Sequence, residues 1–525
     1  MPKVTIDGQE MDVPAGTTIL NAAQRRGREI PHYCYHPGLS IAGNCRMCLV
    51  EVEKAPKLVI GCYTPVADGM VVHTESEKVV AARAAMMEFF LINHPLDCPI
   101  CDQAGECRLQ EYAVAYGDGE SRFTESKLAL AKAVDIGPHV MLDQERCIQC
   151  SRCIRFCDEV TKTGELGFFE RGERSQIGIF PGKRLDNAYS GNVVDLCPVG
   201  ALTLKEFRFA TRVWYLKNTP TICAGCARGC NVVVGVGQQQ TMMTTSGQID
   251  DRVKRIVPRV NEAVNGHWIC DEGRLSYERE QKAVRLTAPR SGGSDATYDE
   301  AVAAAAAALK SGRPAMIASP RLACEDLFAW KSLIEAMGGT DAGVRRIVRG
   351  QDDAILYRSD KGANALGAQW ILGPSGTETA VREKIASGGI GSVLVLGDTL
   401  DPQDTAPGAG SAAPVVFVGP FVSGAAEGAA VAIPAASWSE TDGTFVNFEG
   451  RAQRVRRCHL HLGEARPGWR IALDVAAAAG VRLPDWGSAD DVLGDLSRKV
   501  AAFEGVTPQA LGLLGVAASA AAARA

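Results

Sequence analysis

Sixteen of the eighteen cysteines in this 525-residue chain lie between Cys34 and Cys270, and only Cys324 and Cys458 follow. No other property of the sequence constrains the fold as much, because each thiol must end in a disulfide, on a metal or in a core. The N-terminus, MPKVTIDGQEMDVP, has no basic stretch leading into an apolar one, and no window of 18 residues is apolar without a charge or a breaker. The chain therefore reads as neither exported nor membrane-spanning, its thiols as reduced, and metal as what they bind. Its length allows several domains, each with its own core, and a net charge of −5 singles out no partner, nucleic acid included.

Spacing divides the cysteines into four sets. The first is Cys34, Cys45, Cys48 and Cys62, within CYHPGLSIAGNCRMCLVEVEKAPKLVIGC. Ahead of it, VTIDGQEMDVPAGTTILNAAQRRG predicts a hairpin turning at Asp7-Gly8, then a helix opening after Pro14 to Thr18 with apolar residues at Ile19, Leu20 and Ala23. Two strands and a helix before a cysteine loop resemble a plant-type ferredoxin, in a longer-looped relative because the first gap is ten residues. That layout implies a 2Fe-2S cluster, with Gly38 and Gly43 letting backbone N–H groups approach the sulfurs. The same four thiolates could instead hold a zinc ion.

The second set is His94, Cys98, Cys101 and Cys107, in HPLDCPICDQAGEC. Four ligands are enough for a 4Fe-4S cube, and imidazole in place of thiolate removes one negative charge, which is expected to raise the reduction potential. His94 follows MMEFFLIN and precedes Pro95, where a helix must end. The alternative is a helix-capping histidine beside a three-cysteine zinc site.

The third set is Cys147, Cys150 and Cys153 in CIQCSRCIRFCDEV, closed by Cys197 in VVDLCPVGALT. C-x2-C-x2-C-x3-C is the bacterial ferredoxin run and suits a cube better than a zinc knuckle. Cys157 is left over, either a spare buried thiol or a ligand of a cluster with other partners. The fourth set, Cys223, Cys226 and Cys230 in CAGCARGC with Cys270 in GHWIC, suits either a cube or a pair of zinc-knuckle turns.

The second half reads differently. SVLVLGD at 392–398 and VVFVG at 415–419 are short apolar runs alternating with helical tracts such as DEAVAAAAAALKSG, which predicts a parallel α/β layer. PVVFVGPFVSGAAEGAAVAIP reads as two short buried strands around a loop. Neither GVGQQQ nor GGIG forms a dinucleotide-binding loop. AASWSETDGTFVNFEGRAQR resembles the segment that ends the central α/β region of molybdopterin-dependent oxidoreductases. Such enzymes need a metal-binding Cys, selenocysteine or Ser in a particular loop and several hundred further residues. Cys324, in RLACEDLFAW, opens a predicted helix and does not match that loop, so this half reads as a degenerate scaffold with Cys324 and Cys458 as ordinary thiols. GLLGVAASAAAARA at the end reads as a frayed helix or a tail.

Taken in order, these motifs closely resemble the large iron-sulfur subunit of complex I, the G subunit of bacterial NADH:quinone oxidoreductases, over residues 1 to about 275 and more weakly beyond. The resemblance implies α+β iron-sulfur modules followed by a truncated α/β molybdopterin-oxidoreductase-like domain. Its parts would be a 2Fe-2S ferredoxin-like β-grasp domain at 1–80, a histidine-ligated 4Fe-4S domain at 81–120, a 4Fe-4S ferredoxin-like domain at 121–215, a 4Fe-4S domain of the molybdenum-enzyme type at 216–275, and the degenerate domain with its Ala-rich tail at 276–525. It implies one 2Fe-2S and three 4Fe-4S clusters, no molybdenum, flavin or NAD on this chain, and no catalytic residue of its own. Electrons would enter from the NADH- and FMN-binding subunit at the Cys34 set, pass to the Cys147 set and then the His94 set, and leave for a ferredoxin-like subunit leading to quinone. The complex would place the chain peripherally on the cytoplasmic face of a bacterial inner membrane and couple the flow to proton translocation. Iron-only hydrogenases and formate dehydrogenases share these modules and are the alternative.

Overall fold

The structure is a computed structural model and describes residues 1–238, 252–373, 376–397 and 413–518. The last two residues of GVGQQQ, Asp398 of SVLVLGD and residues 519–525 of the Ala-rich end lie outside the described residues. The chain gathers into two compact units, Met1–Tyr215 and Leu216–Ala525.

In the first unit, the strands Lys3–Ile6 and Gln9–Asp12 turn through Asp7 and Gly8, both left-handed with φ of 46° and 79°. A two-residue turn of that hand matches the twist of paired antiparallel strands, which is why Asp-Gly marks it. Lys3–Ile6 pairs in parallel with Met70–His73, and the sheet continues antiparallel through Leu49–Val52 to Val59–Ile60. The Thr18 hydroxyl accepts the Asn21 N–H and caps the helix Ile19–Gln24, whose Ile19, Leu20, Ala22 and Ala23 are buried with Val4, Ile6 and Val72. A long helix, Glu77–Leu91, stops three residues before His94, and the helix Arg108–Tyr116 starts directly after Cys107. Beyond it, the short helix Arg152–Arg155 runs into a wider turn at Phe156–Val160, and the strands Val134–Asp135, Val140–Leu142 and Leu202–Leu204 make a small antiparallel sheet.

The second unit opens on a three-stranded antiparallel sheet, Leu216–Ile222, Asn231–Gly237 and Val253–Pro258. A seven-stranded sheet follows, in the order Ser294–Asp295, Arg290–Ser291, Val431–Pro434, Val415–Gly419, Ser392–Leu396, Pro314–Ala318, Asp341–Val344, with its last five strands parallel. Successive strand residues point to opposite faces. Leu394, Leu396, Val416 and Val418 therefore pack with Leu309, Leu327 and Ile471 of the helices Tyr298–Lys310, Cys324–Ala336 and Gly468–Ala479. Val393, Val395, Val415 and Phe417 pack on the other side with Val381 and Ile385 of Glu378–Ala386 and with Ala425 and Ala426. A parallel sheet buried on both faces explains strands that read as unbroken apolar runs.

Two expectations change. The two strands of PVVFVGPFVSGAAEGAAVAIP are present and parallel, as the α/β layer requires, but the connection carries a helical turn at Gly424–Glu427. In the C-terminal segment, Val516–Ala517 is neither frayed helix nor tail: it pairs with Arg451 and Ala452 as a strand. Among the described residues no helix is long and apolar enough to cross a membrane.

Candidate iron-sulfur sites

Cys34, Cys45, Cys48 and Cys62 are all buried and form one group of sulfurs. The Cys34 thiol interacts directly with those of Cys45 and Cys62, and Cys62 with Cys48. These contacts hold Cys34 well below the usual thiol range and lower Cys48, both as acceptors, and push Cys45 and Cys62 up as donors. Arg46, with φ of 58°, curls the chain between Cys45 and Cys48. The backbone N–H expected on the sulfurs is not that of Gly38, which donates to His36 Nδ1 at 3.1 Å; Tyr33 N–H donates to Cys45 Sγ at 3.4 Å. Arg83, 4% exposed, lies near Cys48 with its Nε buried and without a hydrogen-bond partner. A buried cation needs counter-charge, which a cluster carrying four thiolates would supply.

His94, Cys98, Cys101 and Cys107 line a single pocket together with Arg146 and Gly200. Burial lowers the His94 imidazole to about 4, so it is neutral and offers a lone pair. Cys101 and Cys107 are buried, whereas Cys98 is exposed. A Cβ on Gly200 would stand 2.2 Å from Cys101 Sγ, so only glycine fits there. Between His94 and Cys98, Asp97 is fixed by Arg146 Nη2 at 2.8 Å and Lys132 Nζ at 2.7 Å.

Cys147, Cys150, Cys153 and Cys197 line another pocket, with Leu142, Ile177 and Val199. Left-handed Gln149 and Ser151, with φ of 54° and 62°, wrap the run, and Gln149 N–H donates to Cys147 Sγ at 3.4 Å. Burial pushes all four thiols up, Cys197 to about 12. Cys157 does not line this pocket. Its buried thiol hydrogen-bonds Glu165, which also accepts from Asn187 Nδ2 at 2.8 Å.

Cys223 follows the strand Leu216–Ile222, Cys226 and Cys230 precede Asn231, and Cys270 caps the turn of helix Asp271–Arg274; all four are buried. Gly225 N–H donates to Cys223 Sγ and Gly273 N–H to Cys270 Sγ, each at 3.4 Å. A Cβ on Gly273 would lie 3.1 Å from Cys223 Sγ and 3.4 Å from Cys270 Sγ, so the two sulfurs meet at that glycine. Lys361, 2% exposed in its side chain, pairs with Glu272 at 2.8 Å, and its charge reaches Cys226 and Cys270. The loop rests on TFVNFEGRAQR: Asn231 Nδ2 donates to Gln453 Oε1 at 2.7 Å, and Gln453 Nε2 to Gly229 O at 2.9 Å. Cys324 is buried against Asn364, and the Cys458 thiol donates to Arg456 O, so neither joins a set.

Among the described residues no three His, Cys, Asp or Glu side chains stand close enough to hold one metal ion. The second and third sets each line a pocket, an arrangement suited to a polynuclear cluster whose irons each take one ligand.

Five family models match. They are a 2Fe-2S iron-sulfur cluster binding domain at 2–77, the NADH-ubiquinone oxidoreductase-G iron-sulfur binding region at 83–122, and the ferredoxin-like domain of NADH-quinone oxidoreductase subunit 3 at 137–203. An NADH-ubiquinone oxidoreductase 4Fe-4S domain matches 216–278, and a molybdopterin oxidoreductase domain matches 361–478. The NADH-quinone oxidoreductase G subunit of Rickettsia bellii is 43% identical over 353 residues, which cover 66% of this chain and 50% of that one. Over that aligned stretch the chain is similar to this G subunit. The mitochondrial NADH-ubiquinone oxidoreductase 78 kDa subunit of Candida albicans is 43% identical over 347 residues, covering 64% of this chain and 46% of its own. NADH dehydrogenase iron-sulfur protein 1 of Solanum tuberosum is 42% identical over 350 residues, covering 65% and 45%. The chain thus spans about half the length of the curated relatives it matches. A solved chain of an NAD+-reducing NiFe-hydrogenase aligns at 31% identity over 40% of this chain and 91% of its own, with a TM-score of 0.37, too low to assign a fold.

Proposed function

We propose that the chain is an electron-transfer subunit of an NADH:quinone oxidoreductase, relaying electrons from an NADH- and FMN-binding subunit towards quinone and holding no substrate site of its own. Its clusters would be one 2Fe-2S on Cys34, Cys45, Cys48 and Cys62, and three 4Fe-4S on the His94, Cys147 and Cys223 sets. The observation that carries this reading is the agreement between the family matches and the ligand sets. Each of the four iron-sulfur family models falls on a stretch that contributes one four-ligand set. Electrons would enter at the first set, pass to the third and then the second, and leave for a ferredoxin-like subunit, with the fourth cluster off the path. The five-part division at 80, 120, 215 and 275, the place on the cytoplasmic face of an inner membrane and the coupling to proton translocation belong to the same reading.

The test is metal and sulfide content with low-temperature EPR of the reduced protein. About 14 iron atoms per chain are expected from one binuclear and three cubane clusters. Roughly 10 or fewer, with stoichiometric zinc, would mean a set is misassigned. Molybdenum bound to the chain would favour the formate dehydrogenase alternative.

A further inference from the structure

We propose that Arg152 bridges the first and third clusters, raising the reduction potential of both and joining their ligand loops. The inference rests on the cluster reading above. Arg152 sits between Cys150 and Cys153 at the start of the helix Arg152–Arg155. One terminal nitrogen donates to the carbonyl of Tyr35, the residue after Cys34; the other donates to Leu196 O at 3.1 Å, the residue before Cys197. A ligand of the first set is therefore connected to a ligand of the third through covalent bonds and two hydrogen bonds, with one guanidinium in the middle. Only arginine has the planar fork to serve two carbonyls at once.

The charge on that fork is not spent on an acid. Among the described residues Arg152 makes no ion pair, and its Nε is buried without a hydrogen-bond partner. Burial works against the charge, and the groups that favour it are the sulfurs of Cys150, Cys197, Cys34 and Cys45, two from each set. A buried cation without a carboxylate is costly unless other anions face it, and thiolate-ligated clusters are such anions. Reduction adds a negative charge to a cluster, so a fixed cation nearby stabilises the reduced form. Since Arg152 faces both sets, its fixed charge would favour the reduced form of the cluster held by either one.

Docking of the two loops has other supports, so Arg152 is open to substitution. Arg155 donates to Cys34 O and to Ser40 O, the Glu159 carboxylate accepts from Ser40 N at 2.8 Å, and Asn44 Nδ2 donates to Gln149 O at 3.3 Å. Arg83 supplies a contrast, because it faces Cys48 alone among the ligands.

The experiment is an EPR-monitored redox titration of the whole protein with its clusters. Absence of the binuclear and cubane signals from the unsubstituted protein would overturn the cluster reading itself, and the bridge with it. With both present, Arg152→Met is expected to keep both signals and lower both midpoints. Arg152→Lys, which keeps the charge and loses the fork, is expected to hold both midpoints near the original, and Arg83→Met to lower only that of the binuclear cluster. A fall confined to one cluster in Arg152→Met, or no fall, overturns the proposal. If Arg152→Met loses a cluster, Arg152→Gln replaces it, with the same fall in both midpoints expected and unmoved midpoints counting against the bridge.

Discussion

The imidazole of His94 differs from a cysteine ligand by one negative charge, and burial already keeps it neutral. His94→Cys is expected to retain a cluster and lower its midpoint, because the added thiolate disfavours the extra electron. An EPR titration that finds the spectrum and midpoint unchanged would remove His94 from the ligand set. Cys157 makes the opposite case: its thiol is tied to Glu165 outside the pocket lined by Cys147, Cys150, Cys153 and Cys197. Cys157→Ser is expected to leave the EPR signal of the third cluster intact, and loss of that signal in a folded protein would make Cys157 a ligand. Gly273 is held by space rather than charge. In Gly273→Ala the new methyl would press on Cys223 Sγ and Cys270 Sγ, and the signal of the fourth cluster is expected to weaken or vanish.

At the level of elements, the stretch TFVNFEGRAQR is a shelf for the loop that carries Cys226 and Cys230. Gln453 is fully buried and satisfies both Asn231 Nδ2 and Gly229 O. Gln453→Leu strands those two groups, at a cost of about 1–3 kcal/mol each, and should lower the melting temperature in calorimetry; an unchanged midpoint would show that the groups find other partners. The hairpin at Asp7-Gly8 and the helix at Ile19 were legible in the sequence because a turn and a cap are decided by neighbouring residues. The close runs Cys147 to Cys153 and Cys223 to Cys230 were legible for the same reason, each wrapped within a short loop, whereas Cys197 and Cys270 come to them from separate segments. What was not legible is decided across long separations. Arg152 reaches Tyr35 over 117 residues, Gly200 makes room for Cys101, and Val516–Ala517 finds its partner at Arg451 and Ala452. Gly38 misled because its N–H turns to His36, a choice made by loop geometry and not by the absence of a side chain.

Across the whole molecule, the relay reading sorts clusters by whether they carry current. In that reading the fourth set stands off the path and is proposed to contribute folding energy instead. In the assembled complex, Cys226→Ala is expected to lose one EPR signal and some assembly, yet keep turnover per assembled complex close to normal, with Cys150→Ala as the on-path control. Turnover that collapses like the control's would make the fourth cluster a conductor. The sulfurs also differ in how far water reaches them: of the sixteen cysteines between Cys34 and Cys270, Cys98 is the exposed one. Dissolved oxygen reaches that sulfur before it reaches any of the others, so a cluster held there would be the first to age in air. In the proposed complex, a subunit seated over Cys98 would act as its shield and would give the assembled protein a longer bench life than the isolated chain.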